Sequence, residues 1–187
     1  PIHIASVSKV ITATAVLKLV NAKRIDLDHK VTVYLKEFPY PEVTVRMLLN
    51  HRSGMKNYAY FTFENNNWDK KKTLTNEDII KVMIEKEIPL ETKTDTRFSY
   101  CNTNYAVLAL IVEKITGMKF PAAMKEMIFA PLGMTNTYVC DFEKDRENIV
   151  PSYKGNNMEI GTDYLDGIYG DKNIYSTPRD LLKFDTA

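Results

Sequence analysis

Over residues 5–20 the chain places apolar side chains at Val7, Val10, Ile11, Ala13, Ala15, Val16, Leu17, Leu19 and Val20. So broad a stripe predicts a largely buried helix rather than a one-sided surface helix. A second apolar segment, 106–112, follows Asn102 and Thr103, either of which suits a helix N-cap, and the pattern stops at Gly117. Apolar nearly all round, this helix is expected at the centre of the molecule. Thr44 predicts a cap on a short helix over 45–49 that ends near Ser53-Gly54, and Thr75 with Asp78 forms a near capping box opening a helix from 76 to about 86. Pro121 starts a helix to about 129, which Pro131-Leu132-Gly133 breaks. Thr177-Pro178-Arg179-Asp180 marks another start, with a cap threonine, proline at the first position and an acid in the first turn.

The intervening stretches are less regular. Residues 31–35, followed by Pro39 and Pro41, read as a connector with short extended pieces, and 88–100 reads as extended. Residues 58–72 form a polar loop studded with aromatics, and 134–175 is rich in Gly, Asn and Asp and reads as loop. No repeat or low-complexity tract is present. Five or six helices and few credible strands predict a mainly α chain, or the helical part of a mixed domain.

At 187 residues, 44% hydrophobic and 26% charged, the chain has the composition of a single soluble globular domain. Lys+Arg 25 against Asp+Glu 24 leaves a net charge of +1, so no broad field favours nucleic acid or an anionic membrane. The longest apolar run, 105–112, is far shorter than the roughly 20 residues that span a bilayer. Cys101 and Cys140 are expected as two unlinked thiols. His3, His29 and His51 lie far apart without an H-x-x-x-H pair, so no metal is expected. The chain opens at Pro1 on a helix-like pattern and stops within a young helix at 180–187, so both ends read as cuts from something longer.

Two constellations carry candidate chemistry. Ser6-Val7-Ser8-Lys9 fits S-x-x-K, in which a serine near a helix start shares a face with a lysine one turn on. A lysine held in a mostly apolar helix is a candidate general base, because burial disfavours the charged amine. The pattern alone is weak, since two fixed positions in four recur by chance about once in a few hundred residues. Tyr100-Cys101-Asn102 places a phenol and an amide two apart, on one side of an extended segment. There the phenol is a candidate proton relay and the amide a candidate substrate ligand; the alternative is a packed tyrosine beside a cap asparagine.

Five blocks in order, IASVSK (4–9), LLNHRSGM (48–55), FSYCNTNYAVLALIVEKITG (98–117), APLGMTNT (130–137) and IYSTPRDLLKF (174–184), resemble the penicillin-recognising serine hydrolases, in the branch of class C β-lactamases, D-alanyl-D-alanine carboxypeptidases, D-aminopeptidases and related esterases. Tyr100 follows Ser6 by 94 positions, and the motif is Y-x-N as in that branch. The resemblance implies a cofactor-free acyl transfer with no metal: Ser6 as nucleophile, Lys9 as base or neighbouring cation, Tyr100 as proton shuttle and Asn102 as a substrate-orienting amide. It also implies a helix-start Ser6 N–H as half of an oxyanion hole. The family's third motif, K-T-G or H-x-G on a sheet strand, is not among these residues, nor are the strands expected before S-x-x-K. The chain thus reads as a single partial domain over 1–187: the helical region of a β-lactamase/transpeptidase-like α/β fold, lacking most of its antiparallel sheet. Without the second oxyanion donor, which is typically worth about 10²–10³ in rate, weak or no activity is expected.

Other features follow more loosely from the resemblance. His51-Arg52-Ser53-Gly54 reads as a structural helix stop. Tyr58, Tyr60, Phe61 and Trp68 are candidate substrate-binding aromatics at a cleft, with core packing as the alternative. In the turn Gly170-Asp171-Lys172-Asn173, Asn173 stands where the family often has glycine, and asparagine tolerates positive φ. The expected substrate is a small molecule or peptide, such as a β-lactam, a D-amino-acid peptide or an ester, met by an exported parent in the periplasm or outside the cell. The rival function is a non-catalytic ligand-binding module. Apolar surface left where a sheet would pack predicts self-association or a complementary segment.

Overall fold

The structure, a computed structural model, describes residues 1–145 and 149–187. Its helices are α1 (Ser8–Asn21), α2 (Val45–Leu49), α3 (Tyr58–Phe61), α4 (Asn76–Glu85), α5 (Asn102–Thr116), α6 (Phe120–Met124), α7 (Phe142–Asp145) and α8 (Pro178–Asp185). Its strands are β1 (Ile2–His3), β2 (Tyr138–Val139), β3 (Ser152–Tyr153), β4 (Glu159–Ile160) and β5 (Ile174–Ser176).

Helix α5 is the axis of the molecule. Its residues from Thr103 to Val112 are all buried, and α1, α2, α4 and α6 pack around it. Full burial of side chains such as Leu108 and Ile111 stabilises the fold by about 1.5–3 kcal/mol each. Gly117 ends the helix at φ 73°, as its sequence predicts. The cap differs from expectation: Cys101 is the N-cap and its side chain makes no cap bond. The Thr103 hydroxyl is engaged elsewhere, donating to the Lys56 carbonyl and accepting the Tyr58 N–H, which ties the start of α3 to α5.

Thr44, Thr75 and Thr177 cap α2, α4 and α8 as expected, and Thr75 with Asp78 closes a full capping box. The helix begun at Phe120 relaxes into a wider, π-type turn over Lys125–Phe129 before the break at Pro131. Residues 31–33 form a 3-10 turn rather than an extended piece, and 88–100 forms no strand. The aromatic loop contains α3 and a 3-10 turn at Glu64–Asn66.

Two expectations are corrected. The first helix is not largely buried: its inner face carries Ile11, Ala15, Val16 and Leu19 with Ser8, Lys9 and Thr12, while Val7, Val10 and Leu17 are exposed. Polar residues occupy part of the buried face because each has a hydrogen-bond partner there, as described below. The chain is also not mainly α. Helices and helical turns account for 45% of the described residues, and an antiparallel sheet in the order β1-β5-β2 is joined by a separate β3-β4 hairpin. Register pairs Ile2 with Ser176 and His3 with Tyr175 on one side of β5, and Tyr138 with Tyr175 and Val139 with Ile174 on the other. Cross-strand rings meet here, Tyr138 stacked on Tyr175 at 5.6 Å and His3 tilted against it at 5.2 Å. Strands of two or three residues are too short to show alternation, which is why 134–175 reads as loop; of that stretch, 146–148 lie outside the described residues. No helix is long and apolar enough to cross a membrane among the described residues.

Candidate active site

The sheet builds the turn that carries Ser6. After β1, the Ile4 N–H bonds the Ile174 carbonyl at 3.0 Å, and the chain leaves the sheet through Ala5 at φ 45°. An alanine in this left-handed region costs about 1–2 kcal/mol, and surrounding bonds hold it there. Residues Ala5–Val7 form a 3-10 turn closed by the Val7 N–H on the Ile4 carbonyl, with Ser6 exposed at its middle. On the far side of the turn, Ser8 Oγ accepts the Ile174 N–H at 3.2 Å. Strand β5 therefore grips the turn before and after Ser6.

Lys9, one turn on, is 6% exposed. Its Nζ donates to Ser6 Oγ at 3.1 Å and to the Asp171 carbonyl at 2.8 Å, and lies 5.0 Å from the Tyr100 ring centre and 5.9 Å from that of Tyr105. The Tyr100 hydroxyl reaches Ser6 Oγ at 2.8 Å. Ser6, Lys9 and Tyr100 thus meet on one oxygen. Asn102 opens α5 two residues after Tyr100; its Oδ1 is buried and has no hydrogen-bond partner.

The turn at 170–173 closes the site from behind. Gly170 has φ 95°, and a Cβ there would stand 2.4 Å from the Tyr105 carbonyl oxygen, so only glycine lets the turn lie against α5. Thr12 Oγ1 donates to the Gly170 carbonyl at 2.8 Å, which together with the Lys9 bond to Asp171 fastens the turn to α1. Asn173 takes φ 70°, in keeping with the tolerance expected of asparagine, and its amide donates to the carbonyls of Asp166 and Ile168. The Asp171 side chain is buried; Oδ2 accepts the Tyr58 hydroxyl at 2.8 Å and Oδ1 has no partner. Burial raises the Asp171 carboxyl above the usual range, a shift opposed by Lys9 and by the Tyr58 bond. Burial, then the Asp171 charge, raises the Tyr58 phenol well above 10.0.

Tyr58 is accordingly behind Lys9, 2% exposed, rather than on an open surface. Tyr60 is 62% exposed on α3, and Trp68 is half-buried with its Nε1 donating to the Lys72 carbonyl. Neither is joined to Ser6, Lys9 or Tyr100 by a hydrogen bond or ring contact. Two residues that the chemical motifs did not single out, Asp171 and His51, adjoin the site. His51 lies beside Tyr100 with ring centres 4.6 Å apart; the HRSG block around it was the available signal. Gly54 in that block has φ 77°, and a Cβ there would stand 2.2 Å from the Thr92 carbonyl oxygen.

A serine, a lysine and a tyrosine thus converge on one hydroxyl, with the serine at a helix start beside an antiparallel sheet. The sequence model of the Beta-lactamase family matches residues 1–187, and the chain belongs to that family of penicillin-recognising serine hydrolases. It is 33% identical over 200 residues to penicillin-binding protein 4* of Bacillus subtilis strain 168, spanning 99% of this chain and 44% of that protein. Among solved structures, D-amino acid amidase from Ochrobactrum anthropi SV3 superposes with a TM-score of 0.79 at 28% identity, over 99% of this chain and 54% of the amidase. The penicillin binding protein of Bacillus halodurans gives a TM-score of 0.83 at 25% identity, over 100% of this chain and 58% of its own. The chain thus spans about half the length of these relatives.

Proposed function

We propose that the protein is a serine hydrolase acting on an amide or ester through an acyl-enzyme at Ser6. The observation that carries this reading is the pair of hydrogen bonds on Ser6 Oγ, 2.8 Å from the Tyr100 hydroxyl and 3.1 Å from Lys9 Nζ. With either partner deprotonated, the same contact runs the other way and Ser6 donates its proton as Oγ attacks the carbonyl carbon. The Ser6 N–H stabilises the oxyanion. As the tetrahedral adduct collapses, Tyr100 hands the proton to the leaving amine or alcohol. A water then attacks the ester while Tyr100 takes its proton, and Tyr100 returns that proton to Ser6 Oγ as the acid product leaves. Asn102, with an amide oxygen that no protein group satisfies, orients the substrate's own amide.

Residues 1–187 are read as part of one catalytic domain that needs no cofactor for these steps. The substrate class follows the relatives' names: a D-amino-acid amide or peptide, or a β-lactam, met by an exported parent protein in the periplasm or outside the cell. Tyr60 and Trp68 belong to its binding surface. The exposed apolar residues Val7, in the turn before α1, and Val10 and Leu17 on α1 favour self-association.

Intact mass before and after exposure to a fluorophosphonate or a penicillin, with Ser6→Ala in parallel, tests the reading. A single adduct on the wild type and none on the variant is expected. A folded wild type that takes up neither reagent would overturn it and leave a ligand-binding module.

A further inference from the structure

His51 holds the residues on both sides of Tyr100. Its carbonyl accepts the Ser99 N–H at 2.8 Å, and its Nδ1 accepts the Cys101 N–H at 3.1 Å. A backbone amide only donates, so Nδ1 is an acceptor and carries no proton. Asn104 Nδ2, 3.1 Å from the same nitrogen, must then present its amide hydrogens to it, an orientation in which Asn104 Oδ1 accepts the Ser53 hydroxyl at 2.5 Å. The ring itself lies against Tyr100, Tyr105 and Phe98 at 4.6, 5.2 and 5.7 Å. His51 is 8% exposed and sits at φ 54°, in the left-handed region that residues other than glycine uncommonly take. Main chain, side chain and ring face of one residue therefore converge on a single tyrosine.

We propose that His51 is the positioning residue for Tyr100 and works only as a neutral imidazole: protonation of Nδ1 opens the clamp and withdraws the phenol from Ser6. This rests on the reading of Tyr100 as the proton carrier of a Ser6 hydrolase. The groups facing the ring oppose its protonation. The Lys9 charge, on α1, disfavours an imidazolium, the Cys101 N–H and Asn104 amide point donors at Nδ1, and the Tyr100, Tyr105 and Phe98 rings line the imidazole. The nearby Arg52 guanidinium is engaged with Asp95 at 2.6 Å. Among the described residues no carboxylate bonds to the imidazole. Burial, and after it the Lys9 charge, holds His51 below 6.5.

Asparagine carries its Oδ1 on Cγ where histidine carries Nδ1, accepts hydrogen bonds, does not titrate and tolerates positive φ. His51→Asn should therefore restore the clamp that His51→Ala removes. The test is the rate of fluorophosphonate labelling at Ser6 against pH for the wild type and both variants, with circular dichroism to establish folding. Above pH 6.5, His51→Ala is expected to label about 10²-fold more slowly, and His51→Asn to recover most of that loss. Below it, the ratio of wild-type to His51→Asn rates should fall about tenfold per pH unit once His51 protonates, whatever the other groups do. A ratio constant with pH, or a folded His51→Ala that labels like the wild type, overturns the proposal. If the wild type labels at no pH, the Ser6 reading fails, and the clamp is judged by NMR alone. An Nδ1 that titrates below 6.5 in step with the Ser99 and Cys101 amides and the Tyr100 ring supports it; a titration that leaves those signals unmoved overturns it.

Discussion

Ser6 and Tyr60 are both exposed residues on short helical turns, yet they are held in opposite ways. The turn of Ser6 is fixed from remote parts of the chain: Tyr100 reaches it across 94 positions and Lys9 is anchored to a carbonyl 162 positions away. Tyr60 rests on its own turn, α3, and near it in sequence Phe63 is exposed, with Lys70 3.4 Å from its ring centre. The β3-β4 hairpin is similarly open, with Val150, Tyr153, Met158 and Ile160 all about half exposed or more. A group that moves protons needs atoms placed within tenths of an ångström, which long-range bonds supply. A surface that receives ligands needs area, and local structure is enough to display it.

This contrast can be broken at several levels. The largest effect is expected from Tyr100→Phe, which removes one hydrogen bond from Ser6 Oγ and should slow labelling by about 10²–10⁴-fold with little change in the melting curve. Gly170→Ala attacks the same hub through its backbone; with the added Cβ 2.4 Å from the Tyr105 carbonyl oxygen, a loss of about 2–4 kcal/mol is expected in urea titration. Thr75→Ala, remote from the site, should cost about 1 kcal/mol through the lost cap of α4 and leave labelling unchanged.

Acidity should act more gently. His3 accepts the Asn173 N–H and His51 accepts the Cys101 N–H, and burial above all lowers both pKa values from 6.5 in the folded state. The unfolded chain then takes up protons first. The stability these residues contribute is complete above about pH 6.5 and declines as the pH falls from there through their folded pKa values. Urea midpoints measured on either side of that range should show the decline, and His51→Asn should lessen it. Least is expected from Tyr60→Ala, within about 0.5 kcal/mol in stability. Its effect belongs in KM at unchanged kcat, and a fall in kcat instead would remove Tyr60 from the binding surface.

What the sequence makes legible follows the same divide. Thr44, Thr75, Thr177 and Gly117 mark helix ends because capping is decided within a few residues. Ser6 and Lys9 share a face for the equally local reason of helix period, and Tyr100 was accessible through the family pattern that surrounds it. Strands β1, β2 and β5 were not legible, since each is stabilised by partners far off in sequence and none is long enough to alternate. The tie from Lys9 to Asp171 and the clamp of His51 on Ser99 and Cys101 were hidden for a related reason: each uses a backbone atom, which every residue possesses. Tyr58 shows the limit for side chains, because an aromatic in a polar loop gives no sign of whether its hydroxyl meets solvent or a buried carboxylate.

Strand β5 also sets a timetable. The Ser6 turn is synthesised well before the strand that grips it, which ends at Ser176. At translation rates of about 5–20 residues per second, the two are separated by roughly 10–30 s. Through that interval the serine has left the ribosome without its sheet, and its lysine has no carbonyl to hold. A nascent chain arrested before Ile174 should therefore ignore a serine-directed probe that a chain extended past Ser176 takes up, so that Ser6 stays harmless until its strand has been made.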